Sequence, residues 1–65
     1  MNEVMNFKEI RQAIAQAPKI FVWVNLVQDE GQYIEAKKGS VLMAVNSLPN
    51  SQFKAEVRAD GLYID

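Results

Sequence analysis

The 65-residue chain contains neither cysteine nor histidine. Disulfide bridges, thiolate or imidazole metal sites, and the serine–histidine or cysteine–histidine pairs of nucleophilic enzymes are therefore excluded. Glycine is also scarce, and Gly31, Gly39 and Gly61 stand apart from one another, so the chain lacks a glycine-rich loop for phosphate. The sequence predicts a protein that is not an enzyme and that holds no metal or other cofactor.

The chain also lacks an excess of charge of either sign. Seven basic and eight acidic residues give a net charge of −1, whereas nucleic-acid binders usually carry a basic excess for phosphate contacts. No apolar run approaches the roughly 20 residues that span a bilayer, and the first five residues do not resemble a signal peptide. We expect a cytoplasmic protein that does not interact with a membrane.

The length predicts one domain over residues 1–65. A chain of this size buries only about 60% of the surface that its unfolded form exposes, so its hydrophobic core is small. Domains of this length usually need a covalent staple or a partner for stability. The hydrophobic content of 49% nevertheless excludes a disordered tail.

The most informative segment is residues 19–27, in which seven of nine residues are apolar. Residues 20–24 are all β-branched or aromatic, which is typical of a packed strand. Pro18 precedes the segment and the turn-forming residues 28–31 follow it, so a strand and a hairpin loop are predicted. The return strand is predicted over residues 32–36.

Two helices and a second hairpin complete the predicted elements. Asn6, with Glu9 three residues later, predicts a capping box at the start of a helix over Phe7–Ala17. Ser40 is the predicted cap of a second helix with an apolar stripe from Val41 to Leu48. Alternating residues predict strands at 52–58 and 62–65, joined by a tight turn at Ala59-Asp60-Gly61.

The two halves of the chain resemble each other. Pro18 and Pro49 both follow a predicted helix and precede a predicted strand, and the pattern Gly-X-Tyr-Ile-acid occurs at 31–35 and 61–65. We therefore predict an α+β fold with an internal repeat of an α-β-β unit, residues 6–36 and 37–65. The expected result is a four-stranded antiparallel sheet with two helices on one face and a pseudo-two-fold axis. Strand order 2-1-3-4 is favoured, and order 1-2-4-3 fits the same symmetry.

Alternation along the strand at 19–27 gives it two apolar faces, and the two helices cover only one of them. The second face is therefore the predicted surface for dimerisation or partner binding. Its candidate residues are Phe21, Trp23, Asn25, Val27, Tyr33, Lys54, Arg58 and Tyr63. Contiguous exposed apolar residues usually mark an interaction site, and Trp, Tyr and Arg dominate binding hot spots.

Three hypotheses explain what covers this second face: the N-terminal residues, a second copy of the chain, or a separate ligand. The five N-terminal residues, which include Val4 and Met5, are long enough to cover one or two of the rings. A homodimer is favoured over that, since two-fold dimers are the commonest oligomers and Lys54 and Arg58 can pair with Glu35 and Glu56 across the axis. Another protein is a further expected partner. Single-stranded nucleic acid stacking on the aromatic rings is the alternative, which the net charge disfavours.

Overall fold

The computed structural model describes residues 3–27 and 30–65. The elements in chain order are β1 Glu3–Met5, α1 Phe7–Gln16, β2 Ile20–Val27, β3 Glu30–Ala36, α2 Lys38–Asn46, β4 Phe53–Arg58 and β5 Gly61–Ile64. The fold is α+β, as predicted. Of the predicted hairpin loop 28–31, residues 28 and 29 lie outside the described residues, and Glu30 and Gly31 belong to β3.

Helix α1 begins as the sequence predicts. The Asn6 side chain accepts a hydrogen bond from the Glu9 backbone N–H (2.8 Å), and the Glu9 carboxylate accepts one from the Asn6 N–H (2.9 Å). This capping box satisfies two of the N–H groups that a helix start leaves unpaired. Ala17 has extended geometry before Pro18 and ends the helix.

Helix α2 begins earlier than predicted. The helix includes Lys38, Gly39 and Ser40, so Ser40 is not its cap. Lys37 occupies the cap position with extended backbone and makes no side-chain capping bond. Lys38 and Gly39, which precede the predicted cap, therefore belong to the first turn of the helix.

The sheet is mixed rather than antiparallel, and it has five strands in the order β1-β4-β5-β2-β3 among the described residues. Strands β2 and β5 pair in parallel at its centre, and the other neighbours are antiparallel. The prediction of four antiparallel strands is therefore wrong. Pairing Ile20 with Leu62 and Val22 with Ile64 brings four aliphatic residues together beneath the helices, which favours the parallel pair.

The predicted strands 1 to 4 correspond to β2, β3, β4 and β5. Their observed order is 2-1-4-3, so both predicted orders are wrong. In the first hairpin the earlier strand, β2, lies in the interior of the sheet, whereas in the second hairpin the later strand, β5, does. No two-fold axis normal to the sheet therefore relates the hairpins. Strand β1 accounts for this arrangement. It pairs with one edge of β4 through Glu3–Ala55 and Met5–Phe53, so β2 pairs with the free edge of β5 instead. The predicted duplication is not confirmed by this arrangement.

Both helices pack on one side of the sheet around a small aliphatic core. Its members, all nearly inaccessible to solvent, are Met5, Ile10, Ile14, Ile20, Val41, Val45, Ala55, Leu62 and Ile64. Each large aliphatic side chain contributes about 1.5–3 kcal/mol by its burial. The helices leave part of the β2–β3 hairpin uncovered: Leu26 near its tip is 57% exposed, and Ile34 on the edge strand is 41% exposed.

Candidate functional site

The register of the strands places the predicted aromatic residues on the side of the sheet away from the helices. Phe21 of β2 pairs with Tyr63 of β5, and Trp23 of β2 pairs with Tyr33 of β3. We name this side of the sheet the aromatic face. It comprises Val4, Phe21, Trp23, Asn25, Tyr33, Glu35, Lys54, Glu56, Arg58 and Tyr63.

The four aromatic rings form one continuous cluster across three strands. Phe21 stacks on Tyr63 with ring centroids 4.6 Å apart and planes inclined by 17°. Tyr33 contacts Tyr63 edge to face at 4.9 Å and Trp23 in the same manner at 5.1 Å. Each such pair adds about 0.5–1.5 kcal/mol beyond simple burial. The rings therefore hold one another in place without a covering layer.

Arg58 closes the β4 side of the cluster. Its guanidinium carbon lies 4.0 Å from the centre of the Tyr63 ring, within the range of a cation–π interaction. The same guanidinium donates to both carboxylate oxygens of Glu56, at 3.0 and 3.2 Å. The hydrogen bond from Arg58 lowers the pKa of Glu56 below its usual value. The charge of Arg58 is thus partly neutralised within the chain.

Both tyrosine hydroxyls are bound within the chain. The Tyr63 hydroxyl donates to the Asp60 carboxylate at 2.6 Å, and the Tyr33 hydroxyl donates to Asp65. These hydrogen bonds raise the pKa of each tyrosine above its usual value, because the neutral hydroxyl is the donor. Each ring is therefore fixed by ring contacts and by its polar end.

The Trp23 indole occupies space beside Gly31 of β3 that is open because Gly31 has no side chain. A Cβ atom at Gly31 would fall 2.3 Å from Cζ2 of Trp23, well inside van der Waals contact. The indole Nε1–H also donates to the side chain of Asn25 at 3.2 Å. From the sequence, Gly31 is only a turn residue, and its role appears once the pairing of Asn25 with Gly31 is known.

The structure brings together most of the predicted partner-binding residues, but not all of them. Lys54 lies beside the cluster, where it lines a shallow depression with Trp23, Tyr33 and Asp65. Val27 does not join them, since a register shift between Asn25 and Val27 interrupts the alternation that predicts its position. Asp60, which binds the Tyr63 hydroxyl, is not among the predicted residues, because Asp-Gly alone indicates only a turn.

None of the described elements covers the aromatic face. Trp23 is 42% exposed, and Phe21, Tyr33 and Tyr63 are partly exposed. Val4 and Met5, which were candidates for a covering arm, belong to β1 at the sheet edge. Met5 packs into the core on the helix side, and Val4 remains 60% exposed. The described part of the N-terminal segment therefore does not lie across the rings.

The described residues offer no group of side chains for a metal ion. Residues 3–27 and 30–65 contain no group of three or more acidic, histidine or cysteine side chains able to hold a metal ion. Neither described helix is long and apolar enough to cross a membrane. Comparison with protein-family models, curated proteins and solved structures finds no match for this chain. The site defines a class only: a small α+β domain with an open, aromatic sheet face.

Proposed function

We propose that the protein is a non-catalytic interaction module of the cytoplasm that associates through its aromatic face, with a second copy of itself as the first partner. The supporting observation is the continuous cluster of four rings on a side of the sheet that no described element covers. A larger protein that offers a similar apolar surface is a further partner in this proposal.

The character of the cluster favours a protein partner. Its rings and Arg58 are of the residue types that carry most of the energy of protein interfaces. Because they are held by contacts within the chain, little side-chain freedom is lost on binding, which lowers the entropic cost of association. A stable interface needs about 800 Å² from each partner, or about one sixth of the 4710 Å² surface of this chain.

The mixed charge of the aromatic face is compatible with a two-fold dimer. When two copies stack face to face about an axis parallel to the strands, β4 of one copy lies over β3 of the other. The register places Glu35, Phe21, Tyr63 and Glu56 in one row across the sheet, so Glu35 of one copy lies over the partner's Glu56. Lys54 and Arg58 precede and follow Glu56 on the same face of β4, so each pair of carboxylates is flanked by two cations, and the same surface serves both copies.

Binding of single-stranded nucleic acid receives less support from the same geometry. Base stacking requires open ring faces, whereas the faces of Tyr63 contact Phe21 and Arg58. The two cations of the region, Lys54 and Arg58, are outnumbered by its four carboxylates. These are Glu35, Glu56, Asp60 and Asp65.

Sedimentation equilibrium tests the proposal. The wild type is expected to have at least twice the mass of the chain, because a second contact between copies, through the edge of the sheet, can add further chains. Trp23→Lys should remove face-dependent association while the circular dichroism of a folded chain is retained. Val57→Lys is the matched control, since Val57 is 69% exposed on the opposite side of the same sheet, in β4. A wild type that remains a monomer at high concentration would reject the proposal.

A single-stranded oligonucleotide provides the second arm of this experiment. The nucleic-acid hypothesis predicts binding at low salt that weakens steeply as salt is added. We expect no binding at low salt. Binding that is lost in Trp23→Lys and retained in Val57→Lys would instead favour the nucleic-acid hypothesis.

A further inference from the structure

The two edges of the sheet differ in length and in how well they are protected from pairing with a further strand. The edge strand β1 has only three residues, and a very short strand is a common way to blunt an edge. The opposite edge, β3, has seven residues from Glu30 to Ala36, and among the described residues it pairs only with β2. It contains no proline or lysine, the residues that usually prevent a further strand from pairing.

Charge changes sign along β3. In the sequence, Asp29-Glu30 stand at its start and Lys37-Lys38 directly follow its end. An antiparallel strand of the same sequence therefore brings the acidic end of each copy beside the basic end of the other. With the axis at Tyr33, Glu30 lies opposite Ala36 and Glu35 lies opposite Gly31, so no like charges face each other.

We propose that the open edge of β3 pairs in antiparallel fashion with β3 of a second copy, so that one sheet continues across two chains. The unpaired backbone groups of the edge then gain partners. Ile34, 41% exposed on the helix side, packs beside the partner's β3, and the two aromatic faces join through Tyr33. Opposite charges at the strand ends and the absence of like-charge pairs favour a second copy over an unrelated strand.

This edge contact goes beyond the proposed function, because it uses a different surface and a different axis. The axis of the edge pair is perpendicular to the sheet, whereas the axis of the face-to-face dimer lies in the plane of the sheet. Two perpendicular two-fold axes are compatible with a four-chain assembly of dihedral symmetry. Each interface can therefore be removed without the other, and their failures are distinguishable.

Amide hydrogen exchange along β3 separates the two contacts. Edge pairing adds backbone hydrogen bonds, so amides of Glu30–Ala36 that exchange quickly in dilute protein should slow by about tenfold or more when the protein is concentrated. Face-to-face packing covers side chains and adds no such bonds. The effect should persist in Trp23→Lys, which is expected to sediment as an edge-paired dimer. Unchanged exchange in β3, or a monomeric Trp23→Lys, would overturn the edge proposal and leave the face proposal intact.

A charge exchange tests the identity of the partner. When the axis is at Tyr33, Glu30 of one copy lies opposite Ala36 of the second copy, and Lys37 of the second copy is the next residue. Glu30→Lys and Lys37→Glu should each weaken the edge dimer of Trp23→Lys by about tenfold, and the two together should restore it. Glu3→Lys on the other edge strand is the matched control and should have no effect. Equal weakening by Glu3→Lys, or no rescue by the double change, would contradict pairing between copies of β3.

Discussion

The two sides of the sheet are both apolar, but they are stabilised in different ways. On the helix side, Ile20, Ala55 and Leu62 are fully buried because another layer of the same chain packs on them. On the aromatic face, Phe21 and Tyr63 pack on neighbouring rings, and polar groups bind the ring ends. Aliphatic side chains need a covering layer, whereas amphipathic rings can form an ordered surface that stays open to a partner.

The largest expected effect concerns the helix side. Ile14→Ala removes a fully buried side chain of α1 and should lower the free energy of unfolding by about 2–5 kcal/mol. Trp23→Ala should cost the monomer less, about 1–2 kcal/mol, because the loss is chiefly of ring contacts on a half-exposed side chain. Chemical denaturation of dilute protein checks both values. Equal losses would show that the aromatic face is as essential to the monomer as the core.

The next effect concerns the glycine beneath Trp23. Gly31→Ala should displace the indole and lower the free energy of unfolding by about 1–3 kcal/mol, since its Cβ atom would overlap the ring. The emission of Trp23, the only tryptophan of the chain, should change at the same time.

Gly39→Ala is the matched control for this change. A Cβ atom at Gly39 meets nothing within 4 Å, and Gly39 lies in α2. Alanine should therefore stabilise the helix by about 0.5–1 kcal/mol and leave the emission unchanged. Identical behaviour of the two variants would contradict the described position of the indole.

A smaller effect follows from the tyrosine hydroxyls at high pH. Their pKa values are raised in the folded chain, so the stability that they contribute is complete below the unfolded pKa of about 10. It is lost as the pH rises through the folded values, because the ionised hydroxyl cannot donate to Asp60 or Asp65. Tyr33→Phe with Tyr63→Phe should remove this alkaline loss, as measured by unfolding across that range. An unchanged loss in the double variant would assign it to other groups.

The smallest effect concerns Arg58 and Glu56 at low pH. The pKa of Glu56 is lowered by its hydrogen bond from Arg58, so the associated stability is present above the unfolded pKa of 4.5 and is lost as the pH falls through the folded value. Arg58→Gln should weaken this acid dependence. Arg11→Gln is the control, since Arg11 also lies over a ring, that of Phe7, but on α1. Equal acid profiles for both variants would contradict the role of this pair.

Local features of the fold were predictable from the sequence. The capping box depends on Asn6 and Glu9, three positions apart, and the extended geometry of Ala17 depends on the adjacent Pro18. Alternation puts Phe21 and Trp23 on the face of β2 opposite the buried Ile20, and it puts Tyr63 on the face of β5 opposite the buried Leu62 and Ile64. These signals depend on the periodicity of a single strand or helix, which the sequence displays directly.

The arrangement of the strands was not predictable in the same way. The place of β5 beside β2 depends on β1 taking the edge of β4, and three residues give too short a pattern to be recognised. The register shift that removes Val27 from the aromatic face and the contact of Gly31 with Trp23 both depend on pairing between strands. The duplication remains a prediction of the sequence, since this topology does not reproduce its two-fold axis.

The emission of Trp23 across a dilution series tests the central claim most directly, because this single tryptophan lies in the proposed interface. Association through the aromatic face predicts a shift of the emission to shorter wavelength as the protein is concentrated, parallel to the increase in mass. The variant Tyr63→Lys should lose the shift and the part of the mass increase that the aromatic face contributes, and should keep the edge-paired dimer. Emission that stays constant while the mass increases would contradict the account, since the indole would then remain in water within the assembly.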